Sequence, residues 1–265
     1  MTELIPHTLH LIWFQGWHQL PQQYQQSVDN WHQLHPDWDI QLWDQYSIES
    51  LLGEWREVYS MCYHMISRCD VGRLAILDKL GGVYADVDTD CFQPLDNLLY
   101  AVQQSGNTGF LAQGTVPLLS LIPGHRRLLQ TLNIPSVSNC GMGFTARHPF
   151  LQQLRQQIHA NMTSWLSDMV HMSKALEVVW TTGPVAVAMA LKKSPQGVKI
   201  LPLDCWQSRQ VVGGPTKDDY LQLASQGTAY CAHWGASSWY QSAGGLWWLV
   251  LVVVLLIVGK SILFK

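Results

Sequence analysis

Residues 67–96 read SRCDVGRLAILDKLGGVYADVDTDCFQPLD, and the fold turns on this window. Ile66, Cys69, Leu74 and Leu77 recur at helical spacing over 66–80, and Gly81-Gly82 stops that helix. A short strand is predicted directly afterwards, over 83–88. A helix that feeds straight into a strand is the repeating unit of an α/β sheet. From Asp70 to Asp96, six Asp stand against Arg73 and Lys79, a local charge of −4. The rest of the chain holds 13 acidic and 14 basic residues, so the net charge of −3 resides in this one stretch.

Side chains alternate along a strand, so Asp86 and Asp88 are expected on one face, with Val83, Ala85 and Val87 on the other. Two neighbouring carboxylates repel unless a cation lies between them. Mg²⁺ and Mn²⁺ accept one or two carboxylates and complete their shell with water and substrate phosphates. The pattern therefore points to a phosphate-bearing substrate. On the preceding helix, Asp70 and Arg73 are i,i+3 neighbours.

Other motif readings separate on single positions. DVDTD at 86–90 opens like a calcium loop, but Cys91 and Asn97 stand where Gly and Glu are required. An aspartyl-phosphate hydrolase would use Asp86 as nucleophile, and this reading stays open as a minor alternative. Gly259-Lys260-Ser261 imitates the end of a phosphate-binding loop, yet Val254 replaces the first glycine.

Working outward, 8–14 (TLHLIWF) reads as a first buried strand. Residues 22–34 read as a helix with Tyr24, Val28 and Trp31 on one stripe, and 39–43 (DIQLW) as a strand. A helix follows His148-Pro149, carrying Phe150, Leu151, Leu154 and Ile158. Another opens at Thr182-Gly183-Pro184, where proline suits a first turn, and closes at Lys192 and Lys193. A further strand is expected over 198–203, and Trp17, Trp31 and Trp43 are expected to pack internally. The six cysteines (62, 69, 91, 140, 205, 231) form no CxxC pair and no zinc spacing.

Of the 265 residues, 13% are charged and 48% apolar. That balance argues against disorder, and the net charge argues against a nucleic-acid partner. Residues 243–259 (AGGLWWLVLVVVLLIVG) carry no charge and precede Lys260 and Lys265. They are read as a single membrane-spanning helix over 243–264. The two lysines place the tail in the cytoplasm and the body in a lumen. The N-terminus has no basic leader, which favours a cytosolic body instead, so the side of the membrane stays open. The sequon Asn161-Met162-Thr163 would carry a glycan only in a lumen.

The pattern SxxDxxRxxxLxxxGGxYxDxDxxxxxPL, starting at Ser67, resembles the core signature of the DXD-containing sugar transferases of glycosyltransferase family 32. That family includes enzymes of the inositol-phosphoceramide mannosyltransferase and alpha-1,6-mannosyltransferase type. Ile5-Pro6-His7 through Trp13 is similar to its opening strand, with Gly16 displaced by two positions. Residues 139–151 (NCGMGFTARHPFL), the 182–184 turn and 233–239 (HWGASSW) are similar to later segments in the same order.

The resemblance implies a GT-A domain over 1–240 and transfer of a hexose, with retention, from a nucleotide-diphosphate sugar. GDP-mannose or a UDP-hexose would be the donor, and a lipid or glycan the acceptor, at a membrane. It implies that Asp88, His233 and Ser238 hold Mn²⁺ or Mg²⁺, and that Asp86 holds the ribose and sugar end of the donor. Asp70 and Arg73 would bind the sugar hydroxyls, Trp13 the base, Asn139 the donor and Trp239 the leaving phosphate. The competing expectation from another class is a tethered module that binds a nucleotide sugar or glycan without transferring it.

Overall fold

The computed structural model describes residues 4–114, 134–164, 174–208 and 216–234. Its first half runs β1 (Thr8–Ile12), α1 (Gln22–Leu34), β2 (Asp39–Trp43), α2 (Gln45–Leu51), α3 (Arg56–Met61), α4 (Met65–Leu80), β3 (Gly82–Ala85), β4 (Thr89–Cys91) and α5 (Asp96–Gln104). Then follow β5 (Gly109–Gln113), β6 (Val137–Phe144), α6 (Pro149–Met162), α7 (Lys174–Thr181), α8 (Pro184–Lys193), β7 (Val198–Ile200), β8 (Trp206–Ser208), α9 (Lys217–Ser225) and β9 (Cys231–His233).

Six strands form one sheet in the order β2-β1-β3-β6-β5-β7, and β4-β9-β8 form a second, smaller one. β1 pairs in parallel with both β2 and β3, while β6 runs antiparallel to β3 and β5. Strand alternation divides the apolar residues between two cores. Leu9, Leu11, Val83, Ala85 and Phe110 pack with Val28 and Trp31 of α1 and with Leu98 of α5. Ile12, Tyr84, Leu111 and Met142 face the other way, against α4, α6 and α8.

Helix α4 lies so deep that every residue from Asp70 to Asp78 is buried, so more than one stripe faces protein. Its three charged residues in that span need internal partners. Asp78 has them in Trp55 Nε1 (2.8 Å) and Gln152 Nε2 (2.9 Å). Gly81 and Gly82 end the helix at φ 68° and 99°, and a Cβ on Gly82 would lie 2.7 Å from the Thr8 carbonyl oxygen. Glycine is needed there for both reasons.

Several expectations are corrected. The strand over 83–88 ends at Ala85, because the chain turns at Asp86, with Thr89 N–H donating to the Asp86 carbonyl at 3.0 Å. Asp86 and Asp88 therefore sit on a turn between two sheets rather than on one strand face. The strand expected over 198–203 is confined to β7. Trp31 is buried, but Trp17 is 44% exposed. The Asn161 side chain is also buried, donating to the Trp180 carbonyl at 2.8 Å, so this sequon offers no accessible amide.

The expected membrane-spanning helix finds no counterpart among the described residues either. Among the described residues no helix is long and apolar enough to cross a membrane. A span needs about 20 apolar residues. α4, at 16 residues, carries buried Asp70, Arg73 and Asp78. No described element therefore supports the single-pass anchor, the membrane localisation or the membrane as a partner. The segment 243–264 itself lies outside the described residues.

Candidate active site

Trp13 follows β1 and Asp86 follows β3, so the two leave parallel strands at the same sheet edge. Ligands of open α/β sheets bind beyond the carboxyl ends of such strands. The small sheet closes over this edge, because β4 begins just after Asp88 and pairs with β9, with Thr89 opposite His233. This pairing carries His233 from the far end of the chain to the two carboxylates. Its Nε2 lies 3.1 Å from Asp88 Oδ1 and 3.3 Å from Asp86 Oδ2. One ligand atom from each of the three residues falls within 4.8 Å of the others.

Arg73 is buried one step behind this cluster. Its Nη1 lies 3.1 Å from Asp86 Oδ1 and donates to the Asn139 carbonyl at 2.6 Å, while Nη2 lies 3.0 Å from Asp70 Oδ1. Asp70 also accepts from Asn139 Nδ2 at 2.9 Å and from the Thr182 hydroxyl at 2.8 Å. The Tyr84 ring stacks under the guanidinium, 4.5 Å from its carbon to the ring centre, and the Tyr84 hydroxyl donates to Asp86 Oδ1 at 2.6 Å. One polar chain thus runs Asp70, Arg73, Asp86, His233, Asp88. Among the described residues, Arg73 Nε and Ser67 Oγ are buried with no hydrogen-bond partner.

Burial pushes the Asp70 carboxyl up to about 6, although Arg73, Thr182 and Asn139 all pull it down. Burial works against the Arg73 guanidinium as well, but Tyr84, Asp86 and Asp70 more than offset this and hold it charged. His233 follows the same logic. Burial disfavours its cation, yet Cys140 and the carboxylates of Asp88 and Asp86 outweigh burial and raise its pKa well above the ordinary value. Two carboxylates here hold a positive group between them. A divalent ion supplies the same neutralisation, and an Asp/Asp/His donor set fits Mn²⁺ or Mg²⁺.

The structure brings Asp70, Arg73, Asp86, Asp88, Asn139 and His233 together. Trp13 sits at the same sheet edge, its ring 5.8 Å from Tyr24 and its Nε1 donating to the Gln19 carbonyl. Ser238 and Trp239 lie outside the described residues. Tyr84 and Thr182 are absent from the sequence-derived set. Their positions in GGVYAD and in the 182–184 turn were the available signal, but nothing local indicated that their hydroxyls meet Asp86 and Asp70.

Of the six Asp in the acidic stretch, Asp86 and Asp88 alone belong to this metal-type cluster. Asp90 pairs with Lys217 at 3.0 Å and accepts from Ser27, and Asp96 accepts from Trp38. The charge run therefore overstates the number of ligands.

The family described as "Glycosyltransferase sugar-binding region containing DXD motif" matches residues 21–104. Inositol phosphoceramide mannosyltransferase 2 of Schizosaccharomyces pombe (strain 972 / ATCC 24843) is 23% identical over 277 residues, covering 98% of this chain and 66% of that protein. Inositol phosphoceramide mannosyltransferase 1 of the same organism is 28% identical over 158 residues, covering 57% and 42%. The chain thus spans less than two thirds of the length of these relatives. Among solved structures, mouse xyloside xylosyltransferase 1 in its apo form superposes with a TM-score of 0.52 at 11% identity, covering 87% of this chain and 98% of that one.

The chain has a glycosyltransferase enzyme fold, a GT-A-like α/β domain with a DXD motif and a candidate metal site at Asp86–Asp88. The chain is a distant relative of the fungal inositol phosphoceramide mannosyltransferases.

Proposed function

We propose that this protein is a divalent-metal-dependent, retaining hexosyltransferase of glycosyltransferase family 32, with its catalytic domain over 1–240. It takes mannose, glucose or galactose from a GDP- or UDP-linked donor and places it on a glycan or lipid acceptor. The observation that carries the proposal is the convergence of Asp86, Asp88 and His233 beside a buried Arg73.

In this reading Asp88, His233 and Ser238 would hold Mn²⁺ or Mg²⁺. The ion, when bound, neutralises charge developing on the leaving diphosphate. Asp86 holds the ribose and sugar end of the donor, oriented by Arg73 Nη1 and the Tyr84 hydroxyl. Asp70 and Arg73 hold the transferred sugar's hydroxyls, with Asn139 and Thr182 keeping the Asp70 carboxylate aimed. Trp13 lies against the base and Trp239 near the diphosphate. The bond from the anomeric carbon to the diphosphate oxygen breaks, and the acceptor oxygen bonds to the same carbon from the same face. The acceptor proton passes to a departing phosphate oxygen, so no protein base is required. A site prearranged in this way supplies its stabilisation without reorganising during the reaction.

The test is nucleotide release from GDP-mannose, UDP-glucose and UDP-galactose with Mn²⁺. Release from one donor, abolished by chelation and by Asp88→Ala, is expected. Release that survives both would overturn the metal-dependent reading. Donor binding by calorimetry with no turnover would favour a binding module instead.

A further inference from the structure

A cavity of about 490 Å³ opens beside the cluster, with Asp88 on its wall. Asp70, Arg73, Asp86 and His233 do not line it. Among the described residues it meets the candidate metal site at Asp88. Its volume lies within the range of small-molecule sites. Trp234 N–H donates to the Asp88 carbonyl at 3.0 Å, which ties the far wall to the motif turn.

One wall is a polar stripe of α1. Gln23, Ser27, Asn30 and Leu34 recur at helical spacing along it, beside the Val28 and Trp31 stripe that fills the core. Ser27 is buried, and its hydroxyl donates to Asp90 Oδ1 at 3.0 Å. Lys217 Nζ lies 3.0 Å from Asp90 Oδ2, so the ammonium from α9 is committed to a carboxylate of the same cavity. Among the described lining residues Lys217 is the only cationic side chain, and its pairing with Asp90 leaves that wall no free ammonium for a phosphate or carboxylate. The cavity does offer amides from Gln23, Gln26 and Asn30 and aromatic surface from Tyr24, Phe92 and Trp234. Amides match hydroxyl groups, and aromatic faces match the apolar C–H faces of a sugar ring.

We infer that this cavity is the acceptor subsite and takes a neutral, polyhydroxylated group, a saccharide or polyol, rather than an anionic headgroup. The inference rests on the transferase reading above. It adds that α1, Phe92 and Trp234 select the acceptor, and that its reacting hydroxyl approaches the donor from the Asp88 side.

The test uses the full chain with Mn²⁺ and the donor that releases nucleotide. Methyl α-mannoside, lactose, myo-inositol and inositol 1-phosphate serve as probes. At least one neutral probe is expected to stimulate release, and inositol 1-phosphate is not. Gln26→Trp fills the cavity from an exposed helix position. It should raise KM for the neutral probe about tenfold without a matching rise in KM for the donor. Saturation-transfer NMR with the same probes reads contact independently of turnover, and the signal should fall in Gln26→Trp and in Leu221→Trp.

Contact that is unchanged in both variants, absent from the native protein, or stronger for inositol 1-phosphate would overturn the inference. Absence of nucleotide release together with cavity-dependent contact would instead sink the transferase reading while leaving a saccharide site. Intact release with no saccharide contact would do the reverse.

Discussion

Arg73 and Asp86 meet 3.1 Å apart, Nη1 to Oδ1, with both side chains largely withdrawn from solvent. The same Nη1 donates to the Asn139 carbonyl and Nη2 meets Asp70, so one planar cation spaces two carboxylates from two different elements. This arrangement makes Arg73 the joint between the sugar-binding side and the metal side of the proposed site. A buried charge of this kind is stable only with its partners in place.

Arg73→Lys keeps the charge but cannot reach Asp70, Asp86 and the Asn139 carbonyl together. Turnover should fall about a hundredfold, the scale of losing one preorganised donor to a developing negative charge. Nucleotide release and thermal unfolding measured on the same sample check this. Native kcat/KM in the variant would remove Arg73 from the site.

Tyr84→Phe deletes the hydroxyl 2.6 Å from Asp86 while leaving the ring under the guanidinium. The fold should lose only about 1 kcal/mol, typical of one hydrogen bond. Asp86 also belongs to the cluster with Asp88 and His233, so Mn²⁺ affinity should weaken about tenfold, as when a group that orients a ligand is lost. The comparison is the Mn²⁺-induced rise in Tm for native and variant protein. Equal rises at every Mn²⁺ concentration would count against the assignment.

Asp70, pushed up to about 6 by burial, sets a pH dependence. Its folded pKa lies above the ordinary carboxylate range. The folded state therefore gains from the protonated form, and that contribution is lost as pH rises from about 4 to about 6. Activity runs the opposite way, because only the carboxylate pairs with Arg73. Turnover should decline as pH falls through about 6. Thr182→Val removes a hydrogen bond that favours the carboxylate, so the acid limb should move to higher pH. A limb that stays in place would dissociate it from Asp70.

Gly141 lies opposite Ala85, one residue before Asp86, and a Cβ there would come within 2.2 Å of the buried Trp206 ring. Gly141→Ala should cost about 1–3 kcal/mol through overpacking. It should lower activity too, since β6 also carries the Asn139 carbonyl that holds Arg73. Denaturant unfolding and nucleotide release read the two effects, and an unchanged midpoint would contradict the close packing.

Local pattern was a sound guide where local physics governs. α1 and β2 fall where their periodicity placed them, and α4 ends at its double glycine. The DVD motif was readable because two carboxylates one residue apart demand a partner wherever the backbone puts them. The strand drawn through it was not, since apolar alternation cannot reveal the turn in which Thr89 N–H donates to the Asp86 carbonyl.

Which carboxylates share a cation was hidden as well. Composition counted six Asp, but Asp78, Asp90 and Asp96 have protein partners from distant segments. Residue types and spacings pointed to the class of chemistry, a cation and a phosphate at an α/β sheet edge, because charge and periodicity are properties of neighbours in the chain. Long-range pairing settled the rest. The β4–β9 ladder sets His233 beside Asp88, the sheet order places Asn139 against Arg73, and the Thr182 turn meets Asp70. Those contacts join residues far apart in sequence, and the energy that selects them comes from burial and hydrogen-bond satisfaction across the whole fold.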